Sequence, residues 1–226
     1  MRYAMINSTN NKVTPKTHAM DLFSINQFWS EKELKDCNSA DPKEVKRLID
    51  NLRLKKKKDD LTTDIGNRLE ELANYLIKTS GLFLSPRNGF STTFCQIDHW
   101  AKFHPAAWAT FFGAWERIRE QSQIMAGESK NYDAALGVTY VLKFECIKLL
   151  KKFPIGIYFT VEGLTGSEDT IGLKASKSAV IHTFEAFNSF SVVFANDDWD
   201  RLYDQPKEFG IILSEKFEEF LTAEKI

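Results

Sequence analysis

The sequence is short of cysteine, and the few it has exclude two classes of protein. Among 226 residues only Cys37, Cys95 and Cys146 carry thiols, and their spacing matches no cysteine metal site. An odd number of thiols with apolar neighbours predicts reduced, mostly buried side chains in a cytosolic protein. A small secreted domain held by disulfides is therefore excluded.

Long hydrophobic runs are also missing. No apolar stretch approaches the roughly 20 residues that span a membrane, and the first 20 residues lack the apolar centre of a signal peptide. We therefore expect no membrane association, and the cytoplasm as the location. The glycine-rich stretch "GLTGSED" lacks the lysine of a nucleotide-binding P-loop, so nucleotide hydrolysis has little support.

A net charge of either sign is absent as well. The 30 basic and 31 acidic side chains give a formal net charge of −1. A nucleic-acid partner would have to be bound by a local basic patch, because the chain as a whole offers no attraction. Hydrophobic residues make up 43% of the chain and aromatic residues 13%, which predicts a well-filled core and excludes global disorder.

The first 62 residues predict a flexible polar lead followed by a helical extension. In the clearer of its two helices, Asp41 caps the first turn, Pro42 suits that turn and Glu44 completes a capping box. The run Lys55–Lys58 closes this helix. It has two interpretations, a solvated helix end and a patch that contacts phosphates.

Residues 63–226 alternate between helical and strand patterns, which predicts an α/β domain with helical crossovers between the later strands. We expect a turn at Pro86–Gly89 between the first two strands, and one aromatic helix at Pro105–Gln121. The aromatic stripe of that helix is interpreted as core or a self-association face, with base stacking as the alternative. It consists of Trp108, Phe111, Phe112 and Trp115.

The stretch "MAGESKNYD" carries the main chemical signal. Glu128 and Lys130 lie two residues apart, so on a strand they point to the same face. If the strand from Thr92 to Trp100 lies beside them, Asp98 adds a second carboxylate. Neighbouring carboxylates repel unless a cation joins them, and Mg²⁺ binds one or two carboxylates while keeping positions for water and phosphate.

Asp98 and Glu128 are therefore candidate metal ligands, and Lys130 is a candidate catalytic residue that stabilises charge on a phosphate. We call these three residues the Asp-Glu-Lys cluster. Two alternatives stay open: Asp98 forms a turn at a strand end, and Glu128 with Lys130 forms an exposed ion pair worth under ~1 kcal/mol.

Four ordered segments resemble the PD-(D/E)xK nuclease superfamily, and more narrowly the restriction-endonuclease-like domains of the type IV group. "GNRLEELANYLI" is similar to the opening helix and "QIDHW" to the strand with the metal-binding aspartate. "ESKNYD" is similar to a strand end usually written Glu-Cys-Lys-Asn, and "IGIYFTVEGLTGSED" to the next core strand and loop. The resemblance covers residues 63 to 200. It implies a mixed central sheet flanked by helices and Mg²⁺-dependent cleavage of DNA, with Mn²⁺ as a substitute, in defence against foreign DNA.

The same resemblance assigns roles to residues. The Asp-Glu-Lys cluster would supply the two metal ligands and the catalytic lysine. Glu70 would reach the site from the opening helix, with Glu71 in its place if the register slips. Gln96 would contact substrate or a metal-bound water. Two departures from the family are a longer gap between Asp98 and Glu128 and a serine, Ser129, whose side chain we expect to face away from the site.

Two basic patches are expected to bind the nucleic-acid backbone, and binding should weaken steeply with salt. They consist of Lys55, Lys56, Lys57 and Lys58, and of Lys148, Lys151 and Lys152. RNA remains open as a substrate, and a homodimer or a partner subunit is expected to help in recognition. The competing hypothesis is a catalytically silent nucleic-acid-binding or scaffold subunit with the same fold.

The remaining charged candidates are interpreted as structural. His99 and His104 flank "WAKF" without a further ligand at suitable spacing, so we expect loop or surface histidines. His182 lies within a predicted helix and has no obvious partner. Glu145 and Lys148 are three residues apart within a helical pattern, which argues against a second catalytic pair.

Overall fold

The structure is a computed structural model. It describes residues 28–54, 62–91, 96–131, 134–164 and 175–223. Its helices and strands follow one another along the chain. They are α1 Glu31–Asp36, α2 Pro42–Arg53, α3 Thr62–Thr79, β1 Phe83–Ser91, β2 Gln96–Phe103, α4 Pro105–Phe112, α5 Glu116–Arg119, β3 Ile124–Lys130, α6 Val138–Lys151, β4 Ile155–Thr160, α7 Ala175–Phe187, β5 Phe190–Phe194, α8 Asn196–Asp204 and α9 Phe209–Ala223.

The five strands form one mixed sheet in the order β1-β2-β3-β4-β5. The pairs β1–β2 and β2–β3 are antiparallel, whereas β3–β4 and β4–β5 are parallel. Parallel neighbours need a crossover connection, and α6 and α7 lie in the two connections. The predicted α/β fold with a mixed sheet flanked by helices is therefore confirmed.

Helices cover both faces of the sheet. On one face α3 contacts four of the strands, and α2, α4, α8 and α9 complete a large apolar cluster around it. On the other face α6 packs on β4 and α7 on β5, over a smaller cluster. Strand β4 is buried along its whole length, as its apolar sequence predicts for a strand covered on both faces.

The helical extension packs into the same core as the rest of the chain. Val45, Leu48, Ile49 and Leu52 of α2 are buried against this cluster, and α2 contacts both α3 and α8. Asp41 caps α2 as predicted. Glu44 does not complete the capping box, because its carboxylate instead forms two hydrogen bonds with the guanidinium of Arg47.

Two predicted elements are wrong in their bounds. The segment Pro86–Gly89 is no turn but part of β1, which accommodates it by a register break between Leu84 and Arg87. The aromatic helix is broken at residues 113–115 into α4 and α5. Its stripe does belong to the core, since Trp108, Phe111 and Phe112 are buried and Trp115 packs against them.

Several further expectations concern exposure. Cys146 is exposed and Cys37 half-buried, which corrects the expected burial of the thiols, and Cys95 lies outside the described residues. The run Lys55–Lys58 lies outside them too. Within the described part of the chain, no helix has the length and apolar character needed to cross a membrane.

Candidate active site

The sheet brings the Asp-Glu-Lys cluster together at one edge. Glu128 and Lys130 end β3, where their register partners on β4 are Tyr158 and Thr160. In the antiparallel pair of β2 and β3, His99 is level with Gly127, so Asp98 is level with Glu128. The three side chains thus meet where the parallel strands β3 and β4 end.

The ammonium of Lys130 lies between the two carboxylates. Its Nζ is 2.7 Å from Oε1 of Glu128 and 3.0 Å from Oδ2 of Asp98, and it also donates to the carbonyl oxygen of Ser129. The backbone N–H of Ser129 donates a hydrogen bond of 2.9 Å to the same Asp98 oxygen. Asp98 therefore connects β2 to β3. Its alternative interpretation as a residue that forms a turn does not account for these contacts.

The cluster is more buried than a surface ion pair. The exposed fractions of the side chains are 10% for Asp98, 18% for Glu128 and 24% for Lys130. These values do not fit the alternative interpretation of Glu128 and Lys130 as an exposed pair. Partial burial leaves the cluster open to water and small ions while it strengthens the interactions among its charges.

Burial and like charge perturb the acids of the site. Burial and the neighbouring charge of Asp98 raise the pKa of Glu128 to about 7. Burial opposes the charge of Lys130, but the carboxylates of Glu128 and Asp98 outweigh it and raise the lysine pKa. Lys130 is therefore a firm cation at neutral pH, whereas Glu128 is divided between its neutral and ionised forms.

Glu70 adds a third carboxyl group from α3. Burial, followed by the charge of Asp98, raises the pKa of Glu70, and Lys130 opposes this shift. Glu71, the alternative in a slipped register, is exposed and pairs with Arg47 of α2 at 3.3 Å. Of these two glutamates, Glu70 is thus the one whose pKa is affected by the charges of the site.

His99 is buried and supports the cluster from the opposite face of the sheet, which corrects the expectation of a loop or surface histidine. Its Nδ1 is 2.8 Å from Oδ1 of Asn74 on α3, and its Nε2 is 2.5 Å from Oγ of Ser129. An amide oxygen only accepts, so Nδ1 carries the proton and the Ser129 hydroxyl donates to Nε2. Burial lowers the pKa of His99 to about 4, so the ring is neutral.

This support was not predicted from the sequence, although the orientation of Ser129 was. Its side chain faces away from the carboxylates, as expected, and bonds to His99. The pair fixes β3 against β2 and α3 directly behind Glu128. A polar residue at an alternating position between two charged ones was the available signal.

The remaining predicted site residues lie either near the cluster or at the opposite end of the sheet. Gln96 begins β2 two residues before Asp98 and is exposed. Lys151 and Lys152 lie at the C-terminal end of α6, next to the start of β4. That end of the sheet is about 17 Å from the cluster, from the rise of five residues along a strand.

Lys148 is not part of a basic patch, because its side chain is fully buried. Its Nζ lies 2.9 Å from Oε2 of Glu145 and donates to the carbonyl oxygen of Phe190 and to Oγ of Ser191. The hydroxyls of Ser191 and Tyr158 both donate to Oε1 of Glu145. We call these residues, Glu145, Lys148, Tyr158 and Ser191, the buried polar network.

The donor set of the site fits Mg²⁺ or Mn²⁺. Carboxylate oxygens are the ligands that such hard ions prefer, and two of them are enough when water and phosphate supply the rest. Within the described residues, no three His, Cys, Asp or Glu side chains are arranged to hold a metal by themselves. Burial, followed by the negative charge of Asp98, raises the pKa of Glu128, and a cation bound beside these carboxylates would oppose that shift.

Comparisons of this chain with models of protein families, with curated proteins and with solved structures found no match.

Proposed function

We propose that this chain is a Mg²⁺-dependent nuclease that hydrolyses phosphodiester bonds of DNA, with a restriction-endonuclease-like fold and a role in defence against foreign DNA. The observation that carries the proposal is the meeting of Asp98, Glu128 and Lys130 at the ends of adjacent strands. Their types and their order along the chain are those of the PD-(D/E)xK superfamily that the sequence resembles, although the gap between Asp98 and Glu128 is longer. Only the resemblance supports DNA as the substrate and defence against foreign DNA as the role.

In this mechanism Asp98 and Glu128 would hold the metal ion. When bound, Mg²⁺ supplies positive charge at the phosphate and makes nearby water more acidic. Lys130, a cation at neutral pH, hydrogen-bonds the attacking water and stabilises the negative charge that builds up on the phosphate. His99, Ser129 and Asn74 keep the strand that carries Glu128 in place.

The test is cleavage of supercoiled plasmid DNA by the full chain in Mg²⁺ or Mn²⁺, comparing the wild type with Lys130→Ala. We expect the rate to fall by about 10²–10³-fold, the range found when one transition-state donor is removed. DNA affinity should change little. An RNA strand of the same sequence, tested in parallel, decides between the two substrate classes.

Lys216→Ala is the matched control. Lys216 of α9 has nearly the same side-chain exposure as Lys130, 23% against 24%, and pairs with Asp198 at 2.9 Å. It should cleave at the wild-type rate. Equal activity of Lys130→Ala and wild type would refute the site. Binding of DNA without cleavage by any variant would favour the silent scaffold subunit instead.

A further inference from the structure

In the described part of the chain, the sheet face that carries the Asp-Glu-Lys cluster is less covered over β1 and β2 than over β4 and β5. Helices α6 and α7 pack on β4 and β5, whereas Arg87 of β1 and Lys102 of β2 are exposed. Ala101 and Phe103 point into the core on the α3 side, so Trp100 and Lys102 alternate to the opposite face. Trp100 is half-buried at the margin of the smaller apolar cluster.

Arg87 is held in position on this less covered part of the face. It is the register partner of Trp100 across β1 and β2. Its guanidinium carbon lies 5.4 Å from the centroid of the Trp100 ring, within the range of a cation–π contact. In the part of the chain that the structure describes, Arg87 forms no ion pair. A side chain that is held by a ring and keeps its charge unpaired is preorganised for an anion.

Arg87 and the cluster lie on neighbouring strands of the same sheet face. Trp100 follows Asp98 by two residues, about 6.6 Å along β2, and the two side chains lie on the same face. Arg87 lies one further strand spacing of about 4.8 Å from β2, so its long side chain is within reach of a nucleic-acid strand that passes over the cluster. A guanidinium binds phosphate through two parallel hydrogen bonds, which fixes orientation as well as position.

We propose that Arg87, seated on Trp100, binds the substrate phosphate next to the one that is cleaved. Arg87 is then a substrate-binding residue and Trp100 a positioning residue that acts through it. This inference rests on the proposed function, since it takes a nucleic acid as the substrate. Lys102, two residues beyond Trp100, extends the basic surface in the same direction.

The test measures binding separately from cleavage. Affinity of the full chain for a labelled DNA oligonucleotide is followed by fluorescence anisotropy at several salt concentrations without divalent metal. Arg87→Ala should weaken binding several-fold and reduce the slope of log affinity against log salt by about 0.7–0.9, the contribution of one phosphate contact. Arg87→Lys should keep the slope and lose affinity. Trp100→Leu should also weaken DNA binding, although Arg87 is still present in that variant.

Arg117→Ala is the matched control, because Arg117 is also exposed and lies on α5, before the opposite end of β3. It should bind as the wild type does. In cleavage, Arg87→Ala should raise KM and leave kcat within about twofold, as expected for uniform binding. If Arg87→Ala matches Arg117→Ala in affinity and slope while the wild type cleaves, this inference alone is overturned. If the wild type neither binds nor cleaves, the proposed function fails and the inference with it.

Discussion

Two Glu–Lys pairs of this chain have nearly the same ion-pair distance and opposite surroundings. Nζ lies 2.7 Å from a carboxylate oxygen in Glu128–Lys130 and 2.9 Å in Glu145–Lys148. The side chains of the first pair are 18% and 24% exposed, and those of the second 2% and 0%. An ion-pair distance alone therefore does not separate a candidate active site from a structural contact.

The two pairs differ in how their charges are balanced. Lys148 faces one carboxylate, and its other donors are taken by Phe190 and Ser191. Lys130 faces two carboxylates, Glu128 and Asp98, and the carboxyl of Glu70 is close enough for Asp98 and Lys130 to affect its pKa. Around Lys148 the protein itself balances the charges and supplies hydrogen-bond partners for the ammonium. Around Lys130 there is a second carboxylate, whose negative charge an added cation can neutralise.

The buried polar network also depends on the space left by a glycine. A Cβ at Gly156 would approach Nζ of Lys148 to 2.9 Å and would overlap the Ser191 hydroxyl. Oε2 of Glu145 accepts no aligned hydrogen bond, although it lies 2.9 Å from the lysine Nζ. That contact is a close ion pair without hydrogen-bond alignment, and its burial makes the loss of either partner costly.

The largest expected effect breaks the buried pair. Lys148→Met should lower the free energy of unfolding by about 3–5 kcal/mol, because it leaves Glu145 charged and unpaired in the core. Lys130→Met should cost less than Lys148→Met, since the side chains of its cluster are partly exposed and Glu128 can take up a proton. Urea unfolding followed by circular dichroism measures both changes.

A double variant separates charge from packing in this network. Glu145→Gln with Lys148→Met keeps an acceptor for the hydroxyls of Tyr158 and Ser191. It should recover at least half of the stability lost by Lys148→Met alone, as expected when both charges of a buried pair are removed. A loss of under 1 kcal/mol in Lys148→Met itself would contradict the contrast between the two pairs.

The next effect is the pH dependence contributed by Glu128. Its pKa is about 7 in the folded protein and near 4.5 in the unfolded chain, so the folded state binds more protons between these values. The free energy of unfolding therefore falls as pH rises through this window. A shift of this size corresponds to a loss of about 3 kcal/mol between pH 4 and pH 8, and Glu70 contributes in the same direction.

Glu128→Gln should remove most of this slope, which urea unfolding at five pH values between 4 and 8 can measure. Glu116→Gln, at an exposed position of α5, should keep the wild-type slope. The same pH dependence in both variants would show that burial of Glu128 does not raise its proton affinity.

Local patterns were sufficient for most of the fold. The helical spacing of Leu69, Leu72, Ala73 and Leu76 placed the buried face of α3, and the apolar run at 155–160 gave a strand buried on both faces. Strand alternation also placed Glu128 and Lys130 on one face. Asp98 lies beside them only because β2 pairs with β3. The sequence alone did not predict this pairing.

The incorrect expectations share a physical cause. Pro86 and Gly89 favour a turn locally, but the edge strand β1 accommodates Pro86 where its register breaks between Leu84 and Arg87 and includes Gly89 in regular pairing beyond the break. Lys148 belongs to a lysine-rich helix end, but its position faces the sheet and not water. His99 was assigned to the surface because its partners, Asn74 and Ser129, are 25 and 30 residues away in sequence. Tertiary packing decides each of these cases.

The smallest expected effect is stabilisation by metal ions at the Asp-Glu-Lys cluster. With a Kd on the order of 1 mM, 10 mM Mg²⁺ would raise the free energy of unfolding by about 1.4 kcal/mol at pH 8. This corresponds to an increase in Tm of roughly 3–6 °C for a chain of this size. Differential scanning fluorimetry at constant ionic strength measures the shift. Asp98→Asn and Glu128→Gln should each abolish it, whereas Glu116→Gln should keep it. An equal shift in Glu128→Gln and wild type would mean that the ion binds elsewhere, and the two Glu–Lys pairs would then differ only in burial.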